Sequence, residues 1–427
     1  MDRIVITGGR RLEGKVQVSG AKNAALPILA STILGGRDCV ISNLPRVVDV
    51  VTLSKLLQMM GVAVRFEDHR AVASGETINS TEAPYDLVRT MRASVLVLGP
   101  LLARWGQATV SLPGGCAIGM RPVNLHLAGL AKMGAEVKIE HGYIKATAGR
   151  LKGAHIYLDI PTVTGTENLM MAATLADGTT VIENAAKEPE ISDLALYLSK
   201  RGARIAGAGT DRITIEGVSE LKGADHEVIP DRIEAGTYLA GAAITGGDVC
   251  VDRCVPKHLE AVIVKLREAG ATVLEEKESV RLMAPTRLRG VDIKTFAYPG
   301  FATDMQAQFM ALMSIANGTS VMTETVFESR YIHVPELRRM GADIKVDGSH
   351  AVVQGVERLT GAPVMASDLR ASAGLIVAGL AADGQTEVSR VYHLDRGYER
   401  IEAKLRQIGA QIERISGSGR TSAVAPC

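Results

Sequence analysis

The sequence predicts an α/β fold made of six similar repeats, on the basis of two rows of regularly spaced glycines and a recurring strand. The late glycines, which follow the second helix of each repeat, are Gly61, Gly134, Gly202, Gly270, Gly341 and Gly409, with separations of 73, 68, 68, 71 and 68 residues. Each begins an alternating segment such as GVAVRF or GADIKV, which is typical of a strand. Repeats of about 70 residues indicate an array of one supersecondary unit.

The early glycines end the first, apolar helix of each repeat, in segments such as LPILASTILGG and LIVAGLAADG. They are Gly36, Gly106, Gly178, Gly246, Gly318 and Gly384. Glycine readily adopts the left-handed conformation that ends a helix. Each repeat is therefore predicted to contain an apolar helix, a strand, a second helix and two further strands, and residues 321–356 illustrate the part that follows the first helix.

The six repeats are too small to be stable singly, so they are expected to group into two three-repeat domains. The chain has 427 residues with 46% apolar content, which is enough for two full cores. One crossover between the domains is predicted at HEVIPDRIEAG, where Pro230 interrupts the pattern, and a second near Ser19 to Ala21. The first strand, residues 3–7, precedes all repeats and is expected to pair with the carboxy-terminal half.

Composition excludes several classes of function. With 48 basic and 47 acidic residues the net charge is +1, so no general attraction to nucleic acid or membranes is expected. Five cysteines without paired spacing favour a reducing, cytoplasmic compartment. The start of the chain lacks the apolar core of a signal peptide, and no apolar run is long enough to span a bilayer.

The starts of the first helices carry a repeated charge pattern. Fourteen residues before each early glycine stand Lys22, Arg92, Thr164, Arg232, Asp304 and Arg370. Polar residues are ordinary at a helix start, and Asp231, Thr303 and Ser367 are expected N-caps. However, four of these six residues are cations, which the helix dipole disfavours unless an anion binds there. With Arg121, Arg330 and Arg396 near the second helices, they predict a site for a polyanion.

The second repeat contains the longest interval between an early and a late glycine. The six intervals are 25, 28, 24, 24, 23 and 25 residues, and the expansion is LPGGCAIGMRPVNLHL. Cys116 stands there among glycines and near Arg121, a setting that suits a thiol for proton transfer or nucleophilic attack. No second cysteine or histidine lies at ligand spacing, so a metal site is not expected.

These segments, with GAKNAALP, TDMQAQF, TETVFESRYIHVPELRRMGA and DLRASAG, resemble the UDP-N-acetylglucosamine enolpyruvyl transferases over nearly the whole chain. The resemblance implies a two-domain inside-out α/β barrel, in which the sheets surround inward helices. It assigns residues 20–230 to one domain and residues 1–19 plus 231–427 to the other. The active site is then expected in the cleft between the domains.

The resemblance also implies a reaction. The enolpyruvyl group of phosphoenolpyruvate would pass to the 3-hydroxyl of UDP-N-acetylglucosamine through a tetrahedral intermediate, as the first committed step of peptidoglycan synthesis. No metal and no cofactor is implied. Cys116 would be the acid and the target of the covalent inhibitor fosfomycin, Asp304 the base, and Lys22 and Arg396 further catalytic residues. The implied substrate contacts are Lys22, Asn23, Arg92, Arg121, Pro122, Val123, Asn124, Leu125, Val163, Thr164, Gly165, Asp304, Val326, Arg330, Arg370 and Arg396.

Two features depart from the family pattern, and two other functions stay open. A lysine of the family is missing around Ile160 and Pro161, and Asn124 replaces a common aspartate. A shikimate 3-phosphate enolpyruvyl transferase would share the fold, but its GDKS-type signature is replaced by GAKN. A non-catalytic repeat protein that binds nucleotide sugars or phosphate would share the cations, but it would not require the cysteine loop.

Overall fold

The computed structural model describes residues 1–88, 91–112, 123–327 and 329–417, without the side chain of Arg92. The chain divides into two compact units. The N-half unit comprises the described residues from 20 to 229, and the C-half unit comprises residues 1–19 and the described residues from 230 to 417. Each unit has its own apolar core.

Two strands, β1 (Arg3–Thr7) and β2 (Glu13–Gln17), precede the first repeat. The elements of the N-half unit follow the predicted repeat order and are α1 (Lys22–Ala30), β3 (Cys39–Ser42), α2 (Val48–Met59), β4 (Ala63–Glu67), β5 (Arg70–Ser74), β6 (Glu82–Ala83), α3 (Tyr85–Val88), α4 (Leu98–Trp105), β7 (Gln107–Ser111), α5 (Asn124–Lys132), β8 (Glu136–Glu140), β9 (Tyr143–Thr147), β10 (His155–Tyr157), α6 (Val163–Ala173), β11 (Thr179–Glu183), α7 (Pro189–Lys200), β12 (Arg204–Ala206), β13 (Arg212–Glu216) and β14 (Asp225–Glu227). Short 3₁₀ helices at Ser31–Leu34 and Arg92–Val97 extend α1 and precede α4.

The C-half unit repeats this order. Its elements are α8 (Arg232–Ile244), β15 (Asp248–Asp252), α9 (Glu260–Glu268), β16 (Thr272–Glu275), β17 (Ser279–Met283), β18 (Ile293–Lys294), α10 (Gln306–Met313), β19 (Thr319–Thr323), α11 (Val334–Arg339), β20 (Asp343–Asp347), β21 (His350–Gln354), β22 (Pro363–Met365), α12 (Leu369–Ala381), β23 (Gln385–Ser389), α13 (Ile401–Gln407) and β24 (Gln411–Ile415). Further 3₁₀ helices lie at Pro256–Leu259, Thr303–Met305 and Val391–Arg396.

Each repeat forms a four-stranded sheet, and the first, fourth and sixth sheets contain a strand from a distant part of the chain, namely β14, β2 and β1. In the first repeat the order is β14-β3-β5-β4, where β14 runs parallel to β3 and the other pairs are antiparallel. The next two sheets are β6-β7-β9-β8 and β10-β11-β13-β12. Because β14 follows the third repeat but pairs with the first, it closes the three repeats of the N-half unit into a ring.

Strands from the amino terminus close the three repeats of the C-half unit into a second ring. β1 pairs antiparallel with β23 and β24, so it supplies a strand of the sixth repeat, as the sequence predicts. β2 then runs parallel to β15 in the sheet of the fourth repeat. The three sheets are β16-β17-β15-β2, β18-β19-β21-β20 and β22-β23-β1-β24.

The first helices of the repeats form the cores. Every residue of α10 is buried, and so are Ile233–Ile244 of α8 and Leu369–Leu380 of α12. These three helices pack on one another. Burial on all sides explains why their sequences are apolar without a polar face. With helices inside and sheets around them, the prediction of an inside-out α/β barrel is confirmed. Within the ranges that the structure covers, no helix has the length and apolar character needed to cross a bilayer.

The glycine rows have the predicted conformation, with φ between 63° at Gly246 and 105° at Gly202. Residues with a β-carbon rarely adopt such angles, which explains the regular recurrence of glycine. Of the predicted N-caps, Asp231 is confirmed, since its carboxylate accepts from the Ile233 and Glu234 amides.

The other two predicted caps are wrong. The carboxylate of Asp368, next to Ser367, caps α12 by accepting from two backbone amides. The Ser367 hydroxyl is buried and has no hydrogen-bond partner in the part of the chain that is described. Ala302 precedes the 3₁₀ turn at Thr303–Met305, and the Thr303 hydroxyl instead bonds side chains.

Candidate active site

A carboxylate held by two arginines is the main polar cluster at the helix starts of the C-half unit. Nη2 of Arg330 lies 2.8 Å from Oδ1 of Asp304. Arg370 reaches Oδ2 of Asp304 through Nη2 at 2.9 Å and Nε at 3.1 Å. Both arginine side chains are about 95% buried, whereas that of Asp304 remains 23% exposed. The exposed part of the carboxylate is therefore the part that a substrate can reach.

Three different elements place these side chains. Asp304 lies in the 3₁₀ turn that leads into α10, and Arg370 is the second residue of α12. Arg330 lies between β19 and α11, and its guanidinium packs on the Phe327 ring at 5.2 Å. Asp304 and Arg370 hold equivalent positions in neighbouring repeats, so the packing of α10 on α12 brings them together.

Arg370 has a side-chain donor that none of the described residues uses. Burial is the largest influence on its pKa and acts to lower it, but the Asp304 carboxylate and other nearby groups raise the pKa of the guanidinium above its ordinary value. Arg370 therefore stays charged. Its Nη1 atom is buried and has no hydrogen-bond partner among the described residues. A buried charged donor of this kind is costly unless an acceptor reaches it, which favours an anionic ligand.

Glu324 organises the cluster, and sequence reasoning missed it. Its Oε1 accepts from the Thr295 hydroxyl at 2.8 Å and from the amides of Val326 and Phe327 at 2.8 and 3.1 Å. Its Oε2 accepts from the hydroxyl of Thr303 at 2.9 Å, and that hydroxyl in turn accepts from Nη1 of Arg330 at 2.9 Å. Glu324 is only 2% exposed. It follows β19 directly, where sequence periodicity gives no sign of such a role.

Arg396 ends the 3₁₀ helix at Val391–Arg396, which packs against α12. Its side chain is half-buried. The pKa of the neighbouring His393 is lowered by burial and by the positive charge of Arg396. Val326, a predicted nucleotide-sugar contact, is 41% exposed on the loop that Glu324 holds. Of the predicted residues of the C-half unit, Asp304 and Arg370 thus lie at the starts of inner helices, and the others lie on loops or at the end of a 3₁₀ helix.

In the N-half unit, Lys22 is the first residue of α1, and its Nζ lies 3.3 Å from Oδ2 of Asp49. The two side chains are 11% and 4% exposed. Asp49 lies in the first turn of α2, so its charge also suits the helix dipole. Asp49 was not predicted as a site residue, because a single acid in a first turn is ordinary.

The other described contacts that were predicted for this unit lie at three helix starts. Val163 begins α6, followed by Thr164 and Gly165, and the Thr162 hydroxyl caps the helix by accepting from the Gly165 amide at 3.3 Å. Asn124 begins α5 and is exposed, and Val123 and Leu125 beside it are half-buried. Asn23 is half-buried in the first turn of α1.

Some predicted site residues cannot be placed. Cys116, Arg121 and Pro122 lie outside the described residues, and of Arg92 only the backbone is described, at the start of a 3₁₀ helix. Among the residues that are described, no three His, Cys, Asp or Glu side chains are grouped as metal ligands would be.

The described geometry can support chemistry on anions. Lys22 and Arg370 supply cationic donors at helix starts, and Arg330 and Arg396 supply further ones before α11 and at the end of a 3₁₀ helix; such donors suit phosphate and carboxylate groups. Asp304 supplies a partly exposed carboxylate that can accept a proton from a substrate hydroxyl. Preorganised donors around developing negative charge often account for much of the rate of an enzyme.

Comparisons with known proteins identify the family of the chain and support its fold. A family model for EPSP synthase (3-phosphoshikimate 1-carboxyvinyltransferase) matches residues 6–405. NikO, an enolpyruvyl transferase from Streptomyces tendae, has a similar structure, with a TM-score of 0.88 and 25% identity over 97% of this chain and 98% of its own. EPSP synthase from Acinetobacter baumannii shares the fold, with a TM-score of 0.76 and 18% identity over 97% of this chain and 100% of its own. The fold and site thus define a 1-carboxyvinyltransferase, an enolpyruvyl-transferring enzyme.

Curated relatives give a narrower assignment. UDP-N-acetylglucosamine 1-carboxyvinyltransferase of Thermodesulfovibrio yellowstonii is 59% identical over 416 residues, which cover 97% of this chain and 100% of the relative. The enzyme of the same name from Myxococcus xanthus is 58% identical over 417 residues, covering 97% and 99%. The chain belongs to the family of UDP-N-acetylglucosamine 1-carboxyvinyltransferases.

Proposed function

We propose that the protein transfers the enolpyruvyl group of phosphoenolpyruvate to the 3-hydroxyl of UDP-N-acetylglucosamine and releases phosphate. Relatives at 57–59% identity that carry this activity in their names support the choice of acceptor. The observation in the molecule that best supports it is the Asp304 carboxylate held by Arg330 and Arg370, since this cluster joins a proton acceptor to donors for anions. In this function the protein supplies the precursor for peptidoglycan synthesis.

The proposed reaction has two stages. In the addition, Asp304 accepts the proton of the sugar hydroxyl, and the hydroxyl oxygen bonds to C2 of phosphoenolpyruvate. Cys116 protonates C3. In the elimination, the Cys116 thiolate left by the addition takes a proton from C3, the C2–C3 double bond forms again and the C2–O bond to phosphate breaks, while Asp304 returns its proton to the departing phosphate. The phosphate is stabilised by Lys22, Arg121 and Arg396. The carboxylate of phosphoenolpyruvate and the charged intermediate are held by Arg330 and Arg370.

The remaining predicted residues are proposed as contacts of the nucleotide sugar: Asn23, Arg92, Arg121, Pro122, Val123, Asn124, Leu125, Val163, Thr164, Gly165 and Val326. We also propose that fosfomycin, an electrophile, alkylates the thiol of Cys116. The described cysteines Cys39, Cys250 and Cys254 are free thiols, which is compatible with the reducing cytoplasm as the proposed location.

A phosphate-release assay tests the function. The protein is incubated with phosphoenolpyruvate and either UDP-N-acetylglucosamine or shikimate 3-phosphate. Phosphate release is expected only with the nucleotide sugar. Mass spectrometry is expected to detect UDP-N-acetylglucosamine that carries the enolpyruvyl group. Release only with shikimate 3-phosphate would replace the proposal by the sister activity. Binding of the nucleotide sugar without any release would indicate a binding protein.

A further inference from the structure

A buried polar chain in the N-half unit leads from the backbone around α4 to the hydroxyl of Thr164. Oδ1 of Asn168 accepts from the Gly99 amide at 2.6 Å, and its Nδ2 donates to the Val95 carbonyl at 2.9 Å. A backbone N–H only donates, and a carbonyl only accepts. These two contacts therefore fix the orientation of the Asn168 amide.

The fixed amide determines the tautomer of His126. Nδ2 of Asn168 also lies 3.1 Å from Nδ1 of His126, and since Nδ2 is a donor, Nδ1 must be the acceptor. The imidazole proton then lies on Nε2, which is 3.3 Å from Oγ1 of Thr164. His126 is 2% exposed, and burial lowers its pKa to about 4, so the ring is neutral at pH 7.

The direction of hydrogen-bond donation, from Asn168 to His126, continues to Thr164. Because Nε2–H of His126 donates to the Thr164 oxygen, the hydrogen of the Thr164 hydroxyl is directed to another acceptor. Thr164 is half-buried in the first turn of α6, a helix of 11 residues. A helix start favours anions such as phosphate. The segment DIPTVTG before and within this turn contains no lysine that could neutralise such an anion.

We propose that His126 is a positioning residue that makes the Thr164 hydroxyl a donor to a phosphate oxygen of the nucleotide sugar. The identity of the ligand rests on the proposed function, whereas the tautomer rests on the geometry alone. His126 lies in the cysteine-loop motif of the sequence, but no role was assigned to it there.

Nitrogen NMR on the unaltered protein with ¹⁵N-labelled histidine tests the tautomer. Between pH 6 and 8, His126 is expected to show a protonated Nε2 and an unprotonated Nδ1. The H126F variant identifies the signal by its loss. H126Q provides the same identification if H126F does not fold. A protonated Nδ1 of His126 would overturn the proposal.

Calorimetric titration with UDP-N-acetylglucosamine, without phosphoenolpyruvate, tests the consequence. H126F and T164V are each expected to weaken binding about tenfold, and the double variant about as much as T164V alone. T164S, which keeps the hydroxyl, should bind like the unaltered protein. Independent, multiplicative losses in H126F and T164V would overturn the coupling. Failure of the unaltered protein to bind the nucleotide sugar would refute the proposed function and this ligand, while the nitrogen spectra would still decide the tautomer.

Discussion

At the scale of single residues, Asp304 has two tasks that conflict. Its carboxylate balances two buried guanidinium groups, yet the proposed reaction requires it to accept a proton. Neighbouring cations favour the charged carboxylate and so weaken it as a base. The conflict is relieved if anionic substrates take over part of the charge of Arg330 and Arg370. Nη1 of Arg370, which has no hydrogen-bond partner among the described residues, is the donor that they would use. Substrate binding would thereby activate the base.

Replacing Asp304 by asparagine tests this role. The asparagine side chain keeps the shape of the aspartate and some of its hydrogen bonds, so the fold is expected to be retained. Because the amide does not replace the carboxylate as a base, kcat in the phosphate-release assay is expected to fall by about 10²- to 10⁴-fold. The matched control is Asp383→Asn, which removes a carboxylate paired with Arg358 on the surface and should leave kcat unchanged. A kcat within a factor of about three of the unaltered enzyme would exclude Asp304 as the base.

The role of Cys116 is tested by Cys116→Asp. A carboxylic acid can still donate a proton to carbon but is not alkylated as a thiolate is. Turnover is expected to persist while inhibition by fosfomycin disappears, as measured by time-dependent loss of phosphate release. Cys116→Ala serves as the comparison and should be inactive. Complete inactivity of both variants would instead show that the thiol forms an obligatory covalent bond.

At the scale of elements, Glu324 connects the ends of β18 and β19 to the start of α10. One buried carboxylate accepts from the hydroxyls of Thr295 and Thr303 and fixes the loop at Val326 and Phe327. A glutamine has only one acceptor oxygen, so Glu324→Gln leaves some of these donors unsatisfied.

Glu324→Gln is expected to raise KM for UDP-N-acetylglucosamine about tenfold. KM for phosphoenolpyruvate should change less, because Asp304 still links Arg330 to Arg370. Steady-state kinetics with each substrate varied measures this difference. Glu357→Gln, at an exposed site in the same unit, is the control. An equal loss for both substrates, or a loss explained by a lowered melting temperature, would contradict a positioning role.

Arg201 links elements of the N-half unit through carbonyl groups. Its side chain is fully buried and donates to the carbonyls of Ser31, Gly35 and Lys222, while its guanidinium packs on the Tyr197 ring at 5.3 Å. The Ser31 carbonyl lies at the carboxyl end of α1, and the Gly35 carbonyl lies at the carboxyl end of the 3₁₀ helix that extends α1; a cation is favourable at both places.

Arg201→Met is therefore expected to destabilise the protein by about 3 to 5 kcal/mol, because several buried carbonyls lose their donors. Urea unfolding followed by circular dichroism measures the change. Arg204→Met, which affects an exposed arginine three residues away, should cost less than about 0.5 kcal/mol. Equal stability of the two variants would mean that the carbonyls find other donors.

Local features of the sequence predicted the elements and the positions of several candidate site residues along them. Glycines with positive φ recur at helix ends, so their spacing revealed both rows and placed Lys22, Asp304 and Arg370 at helix starts. Glu324 and Asp49 act through contacts between distant segments, and nothing in their own neighbourhood distinguishes them from ordinary acids. Ser367 and Asp368 are both suitable caps, and only the backbone path decides which of them faces the helix start.

At the scale of the whole molecule, the two units are closed in different ways. The N-half unit builds its three sheets from β3 to β14, which all lie within one continuous segment. The C-half unit needs β1 and β2 from the amino terminus, because β1 is an inner strand of the sixth sheet and β2 completes the fourth. Ile4 and Ile6 of β1 are fully buried in its core.

The two fragments should consequently behave differently. Residues 20–229 are expected to fold alone and to unfold cooperatively, since their sheets and core are complete. Residues 230–427 should lack a cooperative transition until a peptide of residues 1–19 is added, which restores the inner strand and its buried isoleucines. Thermal unfolding by circular dichroism, with and without the peptide, measures this, and a peptide with Ile4 and Ile6 replaced by serine is the control. Cooperative folding of residues 230–427 without the peptide would show that the remaining strands close the ring unaided, and that the amino terminus only covers an already stable unit.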